Sequence, residues 1–119
     1  MSTSAVLSIF KTEMGKREFQ AAYADCLDLW DIPYEIKVIN TSFGDTHIIV
    51  SGGEDALPLV MLHGMTFNST MWYKNVPSFI GTHRVFCVDS IGDYGKSVVS
   101  RPLKSRQDCA QWLEEVLNA

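Results

Sequence analysis

Residues 57–72, LPLVMLHGMTFNSTMW, decide how the chain is read. Leu57 to Leu62 are apolar on every residue, and His63-Gly64 ends the run. A strand without polar alternation is buried on both faces. It needs cover on both sides of its sheet and usually has parallel neighbours. The run RVFCV at 84–88 has the same character. Ser69 to Ile80 is then the crossover between two parallel strands. Asn68 or Ser69 can cap its start, and Pro77 inside it implies a kink or two short turns.

Working outward, Phe19, Ala22, Tyr23, Cys26, Leu27 and Trp30 recur at helical spacing and predict a helix over 16–30. Asp31-Ile32-Pro33 stops it, because proline disfavours helical geometry in the residue before it. In YEIKVIN, 34–40, Tyr34, Ile36 and Val38 alternate with charged residues, the pattern of a half-buried strand. Phe43-Gly44-Asp45 supplies a turn, THIIVS at 46–51 a second strand, and the pair an antiparallel hairpin. A last helix runs over 105–117, with Cys109, Trp112, Leu113, Val116 and Leu117 on one face. The order predicts an α/β fold: a helical extension over 1–33, then one domain over 34–119 that opens with a hairpin.

The chain has 119 residues, a formal net charge of −4 and no Lys/Arg cluster, which argues against nucleic-acid or anionic-membrane binding. Cys26, Cys87 and Cys109 are an odd set without a C-x-x-C pair and read as reduced, mostly buried thiols. MSTSAVLSIF has neither the basic region nor the apolar run of a signal peptide. No apolar run approaches the roughly 20 residues that span a bilayer. A cytoplasmic protein is the resulting expectation.

In an open α/β sheet, ligands bind beyond the carboxyl ends of the strands. His63-Gly64 stands at such an end, and the backbone N–H groups after it can serve as anion or oxyanion donors. On that reading Gly64 and the main-chain N–H of Met65 form the candidate site. His63, Thr66, Phe67, Trp72 and Ile91 are candidate pocket walls. The plainer reading is a strand-to-helix turn with a structural histidine, and spacing alone leaves both open. Trp30, Trp72 and Trp112 each lie on a helix face, where core packing is the default.

SIGDYGKS at 90–97 resembles a phosphate-binding loop. Ser90 replaces its first glycine, Asp93 puts a carboxylate where phosphate would sit, and Pro102 interrupts the helix that should follow. Nucleotide binding is therefore a weak alternative. His47, His63 and His83 lack metal-ligand spacing, so neither a metal nor another cofactor is expected. No G-x-S-x-G is present, which argues against a complete Ser/His/Asp triad within these residues.

Taken together, the hairpin, LPLVMLHGMTFNSTMW, RVFCVDSIGDYGKS and the amphipathic helix resemble the N-terminal part of the α/β-hydrolase fold, in its branch of small bacterial esterase-like serine hydrolases. In that family the turn after the strand supplies an oxyanion-hole N–H, here that of Met65. The next strand ends in an aspartate followed by two glycines and a serine, matched by Asp89, Gly92, Gly95 and Ser97. Asp93-Tyr94 departs from the histidine or similar residue more usual before the second glycine. The resemblance makes Asp89 structural, and it covers 34–119 as a partial hydrolase domain. It implies a small-molecule acyl substrate for the complete protein, with nucleophile, acid and catalytic histidine all expected after Ala119. These 119 residues are then expected to be a truncated or proteolysed segment, inactive alone. The alternative is a non-catalytic relic or oligomerisation fragment of the same fold. The family's strand order would expose the edge of the 58–63 strand. That edge is expected to pair with another copy or with the remainder of the parent chain.

Overall fold

The computed structural model describes residues 9–119, so most of the expected lead-in over 1–10 lies outside the described residues. Helix α1 spans Glu13–Leu27, with Thr12 as its cap accepting from the Gly15 N–H at 2.9 Å. It starts three residues earlier than the apolar spacing indicates, because the cap and not the first buried residue sets a helix start. The strands are β1 (Glu35–Thr41), β2 (Gly44–Ser51), β3 (Leu57–Leu62), β4 (His83–Val88) and a two-residue β5 (Val98–Val99). Helix α2 spans Arg106–Leu117, with the Ser105 hydroxyl accepting from the Asp108 N–H. The crossover is two short 3₁₀ turns, Ser69–Lys74 and Val76–Ser78, broken at Pro77. The Asn68 side chain caps the first of them.

The strands lie in the order β1-β2-β4-β3, with β5 pairing antiparallel to the start of β2. The β1–β2 and β2–β4 pairs are antiparallel, and β3–β4 is parallel with Leu62 beside Val88. β3 is therefore an edge strand.

Two apolar clusters sandwich the sheet. Ile48, Val50 and Val88 face Trp112 and Val116 of α2, together with Phe43, Ile91 and Val99. Ile49, Val85 and Cys87 face Tyr23 and Leu27 of α1, together with Trp30 and Val76. Burying each such aliphatic side chain stabilises the fold by about 1.5–3 kcal/mol. Two polar ties fix α2: Trp112 Nε1–H donates to Thr46 Oγ1 at 2.8 Å, and Ser42 donates from N and Oγ to Glu115 Oε1. α2 leaves a groove of about 380 Å³ over the β3–β4 half, lined by Ile39, Val60, Phe86 and Leu117.

Several expectations need correction. Ile36 and Val38 are not the buried face of β1. They are 43% and 61% exposed, while Thr41 is buried and Ile39 packs on the α2 side. β1 is the other edge strand, and among the described residues none of β1 packs into the α1-side cluster, so the alternation points at largely uncovered surface. Cys26 and Cys109 are exposed, and only Cys87 is buried. Burial, with the Asp89 carboxylate adding to it, pushes the Cys87 thiol up to about 12. Leu117 projects from the buried stripe of α2 and is 55% exposed.

Candidate functional site

Because β3 and β4 run parallel and in register, the 63–68 turn and the 89–97 loop leave the sheet at one end. Hydrogen bonds join them. The Ser90 N–H donates to His63 Nε2 at 2.9 Å, and His63 Nδ1–H donates to the Gly64 carbonyl at 2.7 Å. Both ring nitrogens are thus committed in the neutral Nδ1–H tautomer. The Thr66 N–H donates to Asp93 Oδ1 at 2.9 Å, and Asn68 Nδ2–H to the Tyr94 carbonyl at 2.8 Å.

Beneath this seam sits Asp89, fully buried. Its Oδ1 accepts from the Ser69 N–H at 2.8 Å. Its Oδ2 accepts from the Tyr23 hydroxyl at 2.7 Å, His47 Nδ1–H at 3.0 Å and the Lys96 N–H at 3.0 Å. One carboxylate therefore ties α1, β2, the crossover and the 89–97 loop together. Burial alone would raise its pKa. The hydrogen bonds from His47, Lys96, Ser69 and Tyr23 outweigh burial and hold it below the ordinary carboxylate range. Burial and the same carboxylate push the Tyr23 phenol far up. Gly95 is the point of closest approach, since a Cβ there would lie 2.7 Å from Asp89 Cγ.

The candidate donor stands on the outer side of the seam. The Met65 N–H has no hydrogen-bond acceptor among the described residues, and the Met65 side chain is 85% exposed. A Cβ at Gly64 would meet only the Phe67 ring, at 3.6 Å. The protein's own packing thus leaves open space beside the Gly64-Met65 peptide. Thr66 has φ of 66°, left-handed and costly for a β-branched residue. Phe67 is exposed and shares a cleft of about 340 Å³ with Met71, Tyr73 and Leu29.

The other candidate wall residues fall elsewhere. The His63 side chain is buried beneath the turn. Ile91 packs into the α2-side core, and Trp72 packs against the α1-side cluster with its Nε1 unpaired among the described residues. Residues 90–97 do not form a phosphate cradle. The Ser97 hydroxyl donates to the Asp89 carbonyl, Lys96 Nζ lies 5.1 Å from the Tyr23 ring centre, and the chain continues as β5, not as a helix. Among the described residues no group of three or more His, Cys, Asp or Glu side chains could hold a metal ion, and no helix is long and apolar enough to cross a membrane. Spacing alone did not single out Tyr23, His47 or Ser69 as partners of Asp89. Their only sequence signal is their placement on elements that converge at the end of β4.

No family model matches the chain. It is 43% identical over 107 residues to carboxylesterase YbfK of Bacillus subtilis, covering 90% of this chain and 36% of that protein. The crystal structure of the naproxen esterase (carboxylesterase NP) of the same organism superposes with a TM-score of 0.85 at 41% identity, covering 92% of this chain and 38% of the esterase. A lipase structure from Acinetobacter baumannii, 18% identical with a TM-score of 0.70, shares the fold. The chain spans little more than a third of the length of the Bacillus relatives it matches.

Proposed function

We propose, from the premise that this chain is the front part of an esterase-like α/β-hydrolase, that its 63–68 turn is the oxyanion half of a serine-hydrolase site for an ester or related acyl substrate. The observation that carries this reading is the Met65 N–H, unpartnered among the described residues, at the carboxyl end of β3 beside open space at Gly64. An acyl transfer develops negative charge on the carbonyl oxygen, and a fixed N–H aimed at that oxygen lowers the barrier. The nucleophile would be a serine served by a histidine base and an orienting acid. Residues 1–119 hold no G-x-S-x-G for it. His63 has no free ring nitrogen, and His47 commits Nδ1 to Asp89.

The 119-residue chain is therefore expected to be inactive alone. Purified chain should not hydrolyse 4-nitrophenyl butyrate above a heat-denatured control, nor take up a fluorophosphonate label. Turnover that such a label abolishes would overturn this part of the reading.

A second reading, self-association through β3, is favoured by that strand's open edge, where Leu57 and Leu62 are 69% and 44% exposed. Unpaired apolar edges recruit other strands. Light scattering is expected to find dimers or larger species in solutions of the chain. A monomer persisting at high concentration would rule this reading out.

A further inference from the structure

The Gly64–Phe67 turn adopts a shape its sequence does not favour. The Phe67 N–H donates to the Gly64 carbonyl at 3.1 Å, Thr66 has a positive φ and Met65 does not. Those features define a type II β-turn, whose third position normally demands glycine or asparagine. Thr66 is β-branched, and a positive φ crowds its Cβ against the preceding carbonyl, that of Met65. A type I turn would relieve that crowding. The two forms differ by a flip of the middle peptide, which carries the Met65 carbonyl and the Thr66 N–H.

Asp93 faces that peptide. Its Oδ1 accepts from the Thr66 N–H at 2.9 Å, and the same oxygen accepts from the Tyr94 N–H at 3.0 Å, which fixes the carboxylate in place. A flipped peptide would turn the Met65 carbonyl toward the carboxylate, exchanging a charge-assisted hydrogen bond for a repulsive contact. The remaining ties from the 89–97 loop fall on His63, Asn68 and Ser69, outside the turn, and none discriminates between the two forms.

We propose that Asp93 is the positioning residue that locks the Gly64–Phe67 turn in its type II form through the Thr66 N–H. The lock holds the peptide next to the Met65 N–H in one orientation, so the donor needs no rearrangement when charge develops beside it. That last consequence rests on the acyl-transfer reading above; the lock itself does not.

Nuclear magnetic resonance on the 119-residue chain tests it. The wild type is expected to show a strong Met65 Hα–Thr66 HN contact, the type II signature, and a scalar coupling across the hydrogen bond from Thr66 N to the Asp93 carboxyl carbon. Asp93→Ala should lose both, gain a strong Met65 HN–Thr66 HN contact, and speed Thr66 amide exchange on the order of tenfold. Asp93→Asn keeps an acceptor oxygen and should retain the type II contact. Adding Thr66→Gly to Asp93→Ala should restore it, because glycine accepts the positive φ unaided. A folded Asp93→Ala chain that keeps the type II contact overturns the proposal. Should that variant not fold, absence of the wild-type coupling overturns it equally. Failure of the acyl-transfer reading would leave all of these signals unchanged, so the two ideas fail separately.

Discussion

Replacing Asp89 by alanine is expected to leave the chain largely unfolded. Four donors from four parts of the chain converge on this one buried carboxylate. Alanine would strand the Ser69 and Lys96 N–H groups and leave the Tyr23 hydroxyl and His47 Nδ1 with only their long 3.4 Å contact to each other. Removing one partner of a buried charged network costs about 3–5 kcal/mol. A small domain has about 5–15 kcal/mol in total, and one of this size lies low in that range. Urea titration followed by fluorescence of the buried Trp30 and Trp112 would measure the loss. A variant within about 1 kcal/mol of wild type would show that the hub is dispensable. The acid limb gives an independent check. The folded-state pKa of Asp89 lies below its ordinary 3.8. Its stabilisation is therefore complete above that value and drains away as pH falls below it toward the folded pKa. Asp89→Asn, which cannot ionise, should flatten that part of the stability-against-pH curve.

Gly44→Ala should be the next most damaging change, at about 2–5 kcal/mol from backbone strain and overpacking together. Gly44 has φ of 132°, which side chains rarely adopt, and a methyl there would overlap the Val98 carbonyl oxygen and lie 2.9 Å from the Ser100 nitrogen. Both obstacles are backbone, so neither can rotate away. β5 would be forced off β2, taking with it the Ser100 and Arg101 hydrogen bonds to the Phe43 carbonyl. Gly53→Ala is the control. Nothing lies within 4 Å of a Cβ there, and its stability should change by no more than about 0.5 kcal/mol.

How much of this could be read beforehand differs from element to element. The apolar runs at 57–62 and 84–88 announced parallel strands, and β3 and β4 do pair in parallel. The expected two-sided burial holds only for the centre of the sheet: β4 buries Val85, Cys87 and Val88, whereas β3, at an edge, buries none of its residues. The hairpin was equally plain. The face of β1 was not, since alternation marks an apolar side without saying whether anything covers it. β5 was missed because two residues carry no period. At the candidate site, the place of the turn followed from His63-Gly64 ending an apolar strand, and the structural part of Asp89 entered through resemblance. The hub itself was hidden: Tyr23 and His47 lie 66 and 42 residues from Asp89, a separation no local pattern spans. The left-handed Thr66 was hidden for a different reason. The usual marker of positive φ is glycine, and here a carboxylate 27 residues away stands in for it.

The placing of β4 between β2 and β3 also bears on how the chain is made. β3 leaves the ribosome first, yet its partner follows only after the 20 residues between Leu62 and His83. At about 5–20 residues per second, translation leaves that apolar segment without a ladder for one to a few seconds. Hairpin β1–β2 can close during that wait, whereas LPLVML can only be shielded by whatever binds nascent apolar strands. Synonymous codons that slow elongation across 63–82 would lengthen this interval, and translation speed there should govern how much chain reaches the native sheet.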